Sequence, residues 1–435
     1  MPAASDSSQP LLICIGTRPE IIKMAPVCRA LRARGVPYRL LHTGQHDALA
    51  EPIYRELDLE PDARLALNRG AGTLAELSAR LLCNIDSVLA AWQPSALLVH
   101  GDTTSATAAA LAGFYRGVPV GHVEAGLRSH IARDPFPEEL HRSLIARIAA
   151  WHFAPTAVAH RNLLREGIEA STIHVVGNTI VEATLQARER LHNDQHSFGA
   201  GVHEAPPGPR GFANGANVNK DQRLVLVTAH RRENWGAPVA GLVQALATLA
   251  QAHEEALFVW PLHANPVLCA QVRRAHASLP AALADRVQLI PALDYFDMIE
   301  LLSRSWLVLT DSGGLQEEAC ALAVPILILR DHTERPEVIE SGAGRLVGNH
   351  PLRIVEEVES LWREPARHQA MRAVANPFGD GLASARIAKL LADWFNSQKS
   401  QPAPQQGAID ALRQTAHHTR VQTNARALHA QAGVF

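Results

Sequence analysis

Short runs of consecutive apolar residues alternate along the chain with longer stretches of helical periodicity. The runs Leu11 to Ile15, Tyr38 to Thr43, Ala96 to His100, Val118 to Val123, His152 to Ala154 and Ile173 to Val176 read as buried strands. Helical patterns separate them, so the strands are expected to be parallel and joined by crossovers, as in an α/β fold. A second series, Leu224 to Thr228, Leu257 to Trp260, Val287 to Ile290, Trp306 to Leu309 and Ile326 to Leu329, predicts a second doubly wound sheet. Between the two series, His192 to Asp221 is rich in Gly, Pro, Asn and Ala and has no period, and it reads as a long surface insertion. Asn376 to Phe395 returns to an amphipathic helical pattern, and the Gln-, Ala- and His-rich tail from Asn396 reads as loose.

Composition narrows the class. At 435 residues the chain exceeds what one core serves, so two domains with a ligand cleft between them are expected. A formal charge of -2 and a pI near 6.9 offer no footprint for nucleic acid. The five cysteines, Cys14, Cys28, Cys83, Cys269 and Cys320, show no C-x-x-C spacing, and a reducing cytoplasm suits them best. No run of about 18 apolar residues occurs and the first ten residues lack a basic region leading into an apolar core, so neither membrane spanning nor export is expected. None of the 22 histidines falls in an H-E-x-x-H or Cys/His array, which predicts neither metal nor cofactor.

Two strand-to-helix junctions carry the chemistry. In the first, Leu11 to Ile15 ends in Gly16-Thr17-Arg18-Pro19-Glu20, and a helix begins with Lys23 in its opening turns. In the second, Trp306 to Leu309 runs into Thr310-Asp311-Ser312-Gly313-Gly314, with Glu317 and Glu318 just beyond, ahead of a helix predicted over Leu315 to Leu322. Paired glycines let backbone N–H groups approach a ligand closely, which points to a bound diphosphate. Neither a P-loop nor a strand-linked G-x-G-x-x-G competes with this reading.

Titratable groups gather where strands end, the edge at which open α/β sheets bind ligands. Asp102 follows Ala96 to His100 as a candidate acid or base, unless Asp102 or Thr103 only caps the next helix. Glu124 follows Val118 to Val123, and two carboxylates at one cleft can hold different proton affinities. Glu138 stands in Pro135-Phe136-Pro137-Glu138-Glu139, where an ordinary surface pair with Arg142 four residues on is the plain alternative. His230, Arg231 and Arg232 follow Leu224 to Val227 and suit pyrophosphate oxygens, if they are not simply a solvated basic loop. Arg335 sits in a further charged cluster, Asp331 to Glu337, either near the nucleotide or paired with Glu337.

Taken in order, Gly16-Thr17-Arg18-Pro19-Glu20, Thr43-Gly44-Gln45-His46, His100-Gly101-Asp102-Thr103, His122-Val123-Glu124-Ala125-Gly126-Leu127-Arg128, Pro137-Glu138-Glu139, Gly177-Asn178-Thr179 and Asp311-Ser312-Gly313-Gly314 resemble the non-hydrolysing UDP-N-acetylglucosamine 2-epimerases, over about Leu11 to Phe395. The resemblance implies a GT-B-like pair of Rossmann-like domains with parallel sheets and the substrate cleft between them. Residues 11–183 with 376–395 would form the first domain, including a C-terminal crossover helix. Residues 184–375 would form the nucleotide-binding domain, with 192–221 a flexible insertion and 396–435 a loose tail. It also implies contacts from Ser312, Gly313 and Gly314 to the diphosphate, from Glu318 to the ribose, from Arg18, Lys23, His230 and Arg335 to the phosphates, and from Leu293 and Met298 near the uracil. A homodimer is usual among such proteins.

The implied reaction inverts sugar C2, and its chemistry requires both cations and carboxylates. No carbonyl adjoins C2, so its proton is hardly acidic until the C1–oxygen bond to UDP begins to break. Arg18, His230 and the Ser312 loop would absorb the leaving group's charge while one of Asp102, Glu124 and Glu138 takes the proton, giving a 2-acetamidoglucal trapped with UDP. Reprotonation on the other face and return of UDP complete the inversion. Gln45 matches one residue of the activator site found in some bacterial members, but Ala48 and Ala71 stand at the other two positions, so activation by a second UDP-sugar is not implied. The Thr43 to Asp47 and Leu293 to Asp297 segments lie closer to relatives acting on 2,3-diacetamido uronic acids, an alternative substrate. A retaining GT-B glycosyltransferase, a hydrolysing epimerase and a non-catalytic sugar sensor are the competing readings.

Overall fold

Leu11–Ile15 (β1) is wholly apolar and wholly buried, as a strand covered on both faces must be. It lies inside a seven-stranded sheet with Tyr38–His42 (β2), Ala63–Arg64 (β3), Leu97–His100 (β4), Val120–Val123 (β5), Trp151–Ala154 (β6) and Ile173–Val175 (β7), in the order β3-β2-β1-β4-β5-β6-β7. Every pairing is parallel. A second parallel sheet of six strands has the order β10-β9-β8-β11-β12-β13. Its strands are Arg223–Thr228 (β8), Ala256–Pro261 (β9), Val287–Ile290 (β10), Leu307–Thr310 (β11), Ile326–Ile328 (β12) and Gly344–Leu346 (β13). This computed structural model describes residues 9–67, 70, 72–197, 222–231, 234–263 and 265–399.

Both expected sheets are present, and each reverses its strand order once. The first does so between β1 and β4, where Leu12 pairs with Leu97, and the second between β8 and β11, where Thr228 pairs with Thr310. A reversal leaves a crevice outside the carboxyl ends of the two strands. The first crevice therefore receives the loops after Ile15 and His100, and the second receives those after Thr228 and Thr310.

Two strands carried no signal. β3 and β13 are two and three residues long, sit at sheet edges and contain Arg64 and Arg345, so no apolar run marks them. The helix Thr179–Ser197 also runs into the stretch read as an insertion, because Leu191 still packs on the core. Of that insertion, residues 198–221 lie outside the described residues, as does the tail beyond 399. The last helix spans Ala383–Lys399 rather than starting at Asn376, since Pro377, Gly379 and Gly381 hold the preceding turn.

The Thr179–Ser197 helix joins the two units. It packs on the Arg18–Ala33 helix of the first and on the Tyr295–Ser303 and Gly313–Ala321 helices of the second, and the expected boundary at 183/184 falls within it. One apolar cluster accordingly runs from Ile13 and Leu98 through Ile180 and Val181 to Ile299 and Leu302, taking in Ile387 and Leu391 of the last helix. Each such side chain contributes about 1.5–3 kcal/mol when fully buried. The chain leaves and re-enters the first unit at one place, where the Asn178 N–H donates to the Phe378 carbonyl at 2.8 Å. Glycine is required there: Gly379 has φ 117, and a Cβ on it would lie 3.1 Å from the Gly177 Cα.

Candidate active site

The loop after β1 is fastened by a residue that the motif reading left without a role. Glu20, fully buried, accepts the Gly16 and Thr17 N–H groups at 2.9 and 2.7 Å and the Thr103 hydroxyl at 2.7 Å. It thus ties the first loop to the loop after β4. Burial pushes its carboxyl up to about 7, against the pull of these donors. The Thr17-x-x-Glu20 spacing of a capping box was the available signal. Arg18, half-buried, opens the same helix within electrostatic reach of Tyr295 and Glu318.

After β4, Thr103 rather than Asp102 caps the next helix, accepting the Ala106 N–H at 3.0 Å. Asp102 is left for other work. Its carboxylate receives Arg142 Nε at 2.8 Å and Nη2 at 2.7 Å, and its carbonyl meets His141 Nδ1 at 2.8 Å. Arg142 also binds Glu139 at 3.1 Å, so the surface pair with Glu138 does not form. Sequence spacing had hidden Arg142 as a cleft residue, because its partner lies forty positions away. Glu138 begins the Glu138–Ile148 helix, half-buried, and makes no hydrogen bond or ion pair among the described residues.

Glu124 ends β5 in a left-handed conformation, φ 66, which a side chain occupies only when its surroundings compel it, at a cost of roughly 1–3 kcal/mol. The compelling partners are the Lys23 ammonium, which donates to Oε1, the Asn178 amide at 2.9 Å and His100 Nε2 at 3.5 Å. Burial works to raise its carboxyl, but Lys23, His100 and Arg335 prevail and hold it well below the usual carboxylate range. Burial likewise depresses the His100 imidazole, although Glu124 opposes this.

From the second sheet, Asp311 at the end of β11 is fully buried and organises the His230 loop. It accepts the His230 and Arg231 N–H groups, each at 2.9 Å, the Asn234 amide at 2.8 Å and His230 Nδ1 at 2.9 Å. Burial favours its neutral form, yet these donors keep the carboxyl below its ordinary value. Ser312 caps the Gly313–Ala321 helix through the Leu315 N–H at 3.4 Å, and in such a first turn the N–H groups of Gly313 and Gly314 have no intrahelical acceptor. Glu318 is half-buried on this helix, its carboxyl pushed up to about 7 by burial and by neighbouring Glu317. Leu293 and Met298, both half-buried, pack at the edge of the shared core around the Tyr295–Ser303 helix.

Arg335 does not pair with Glu337, which instead accepts the Thr156 hydroxyl of the first unit at 2.5 Å. The guanidinium binds Glu317 at 2.9 Å and lies 3.7 Å from Glu334, which also takes Arg231 at 3.1 Å. Lys23 meets Glu317 at 3.0 Å. Lys23, Glu124, Asp102 and Arg335 are thereby gathered with His100 and Arg142 into one ionic cluster, and Glu334 links it to the His230 loop, while no hydrogen bond or ion pair among the described residues joins Glu138 to it. Gln45 turns inward, accepting the Ser105 N–H and hydroxyl at 3.0 and 2.8 Å. A cavity of about 430 Å³ flanks the cluster, lined by Arg128, His130, Asn162, Arg330, His332 and Glu334 among others. None of the three candidate carboxylates lines it, so the ionic cluster rather than the cavity is the better centre for the chemistry.

Residues 29–392 match the family model for UDP-N-acetylglucosamine 2-epimerase. A probable UDP-N-acetylglucosamine 2-epimerase of Ralstonia nicotianae is 40% identical over 386 residues, covering 88% of this chain and 99% of that protein. The UDP-N-acetylglucosamine 2-epimerase of Escherichia coli K12 is 38% identical over 384 residues, with coverage of 88% and 98%. The crystal structure of the Neisseria meningitidis UDP-GlcNAc 2-epimerase bound to UDP-GlcNAc superposes with a TM-score of 0.80 at 34% identity, covering 88% of this chain and all of that one. With the family model matching over residues 29–392 and relatives 38% and 40% identical over 88% of its length, the chain belongs to the UDP-N-acetylglucosamine 2-epimerase family.

Proposed function

We propose that this enzyme interconverts UDP-N-acetylglucosamine and UDP-N-acetylmannosamine by eliminating UDP and adding it back to the opposite face. The observation that carries the reading is the ionic cluster. At the rim of the first sheet, Glu124 meets the glycine-turned rim of the second through Lys23, Glu317 and Arg335, and Asp102, held by Arg142, acts with Glu124 on His100. In the forward direction, a carboxylate among Asp102, Glu124 and Glu138 takes the C2 proton while the C1–oxygen electron pair departs with UDP. A C1–C2 double bond forms, giving 2-acetamidoglucal. Arg18, Lys23, His230, Arg335 and the Ser312-Gly313-Gly314 turn carry the diphosphate's charge, Glu318 holds the ribose, and Leu293 with Met298 borders the uracil. Protonation of C2 from the other face, with UDP returning to C1, completes the cycle.

Relatives and solved neighbours named for UDP-GlcNAc support that sugar over a diacetamido uronic acid. Proton NMR in deuterated buffer with UDP-N-acetylglucosamine alone tests the reading. Deuterium entering C2 and a growing manno signal are expected. A C2 proton that persists without an acceptor sugar would instead favour a glycosyltransferase, and free UDP with N-acetylmannosamine a hydrolysing enzyme. Asp102→Asn and Glu138→Gln should each abolish epimerisation and keep UDP affinity. A homodimer is the assembly we propose, and light scattering reading one chain's mass would refute it.

A further inference from the structure

Glu317 is buried completely and stands beside the helix turn assigned to the diphosphate, yet it offers no surface to a ligand. Its two oxygens serve two cations from different units. Oε1 takes Arg335 Nε at 2.9 Å, and Oε2 takes Lys23 Nζ at 3.0 Å across 294 positions of sequence. Lys23 in turn donates to Glu124. Among the described residues, Glu317 is therefore the one carboxylate of the second unit that reaches, through a lysine of the first, a carboxylate proposed to handle the sugar proton.

We infer that Glu317 is a positioning residue, which holds Lys23 against Glu124 so that the proton-handling rim stays aligned with the diphosphate turn. This rests on the epimerase reading above. Two buried cations as close as Lys23 and Arg335 repel each other, and removing the shared carboxylate leaves that repulsion uncompensated. Arg335 keeps other anchors, Glu334 and the close fit against Gly313. Lys23 has only Glu124 left among the ion pairs formed by the described residues. Loss of Glu317 thus falls on Lys23 and, through it, on Glu124, whose left-handed backbone needs its partners. Of the groups assigned to the diphosphate, Lys23 alone loses its alignment: Arg335 keeps Glu334, and no hydrogen bond or ion pair among the described residues joins the Glu317 carboxylate to Arg18, His230 or the Ser312 turn.

The test uses the full chain as wild type, Glu317→Gln, Glu317→Asp, Lys23→Met and the double variant Lys23→Met/Glu317→Gln. Turnover is followed by NMR, UDP affinity by calorimetry and integrity by thermal melting. Glu317→Gln is expected to lower kcat tenfold or more, with KM and the UDP Kd within threefold of wild type, and Glu317→Asp to recover part of the loss. The double variant should turn over no more slowly than Lys23→Met alone. Undiminished kcat in Glu317→Gln overturns the inference, as does a further full loss in the Lys23→Met background. A parallel fall in melting temperature and UDP affinity in both Glu317 variants would make the residue a fold determinant and overturn it as well. A wild type that fails to epimerise sinks the epimerase reading itself, whereas an active wild type beside an unimpaired Glu317→Gln sinks only this proposal.

Discussion

A methyl group on Gly313 would come to rest 2.7 Å from Nη1 of Arg335, so the guanidinium occupies the space that any other residue's Cβ would fill. The glycine is there for the arginine's sake, since its own backbone is not left-handed. Gly313→Ala should push Arg335 aside and raise the UDP Kd roughly tenfold, about 1.4 kcal/mol. Calorimetry reads this directly, and unaltered affinity would separate Arg335 from diphosphate binding.

Asp311 governs His230 through both the ring and the backbone. Asp311→Asn presents an amide donor to groups that are donors already, and it removes a charge-assisted bond worth about 1.5–3 kcal/mol. Turnover should fall on the order of tenfold to a hundredfold if His230 must be aimed to act. A His230→Asn variant that loses nothing further when Asp311→Asn is added would confirm that the two act together.

Glu20 makes stability depend on pH. Its folded value, about 7, lies above the ordinary 4.5, so between these values the folded chain holds a proton that the unfolded chain has released. The contribution is complete below pH 4.5 and is lost as pH rises through about 7. The loss is about 3 kcal/mol over that window. Glu20→Gln, which cannot titrate, should gain stability relative to wild type on going from pH 4.5 to pH 7.5. Urea melts showing a constant difference would refute the assignment.

Leu391 is buried at the seam between the last helix and the first unit. Leu391→Ala should cost about 2–5 kcal/mol in denaturant unfolding. By contrast, breaking the neighbouring exposed pair of Lys389 and Asp393 should cost at most about 1 kcal/mol.

Central strands were legible because burial on both faces leaves an unbroken apolar run, and the loops after them were legible because ligand chemistry collects at strand ends. The edge strands β7 and β10 keep an apolar run and were legible too, whereas β3 and β13, two and three residues long with Arg64 and Arg345 exposed, escaped notice. The cleft was less readable than the sheets. Asp102, Glu124, His230 and Lys23 could be picked out one at a time, but the pairings of Asp102 with Arg142, Glu124 with Lys23 and His230 with Asp311 could not, since a pairing across 40 or 101 positions leaves no periodic trace. Local spacing even misdirected, offering Glu138 and Glu337 as mates for arginines that the fold assigns to Asp102 and Glu317.

The Ala383–Lys399 helix completes the first unit but is translated only after the entire second sheet. At 5–20 residues per second, about 200 intervening residues take roughly 10–40 s to make. Throughout that interval the nascent first unit carries an uncovered apolar groove where the last helix will dock. The ribosome-bound chain thus presents a sticky surface to chaperones for far longer than the folding of either sheet requires.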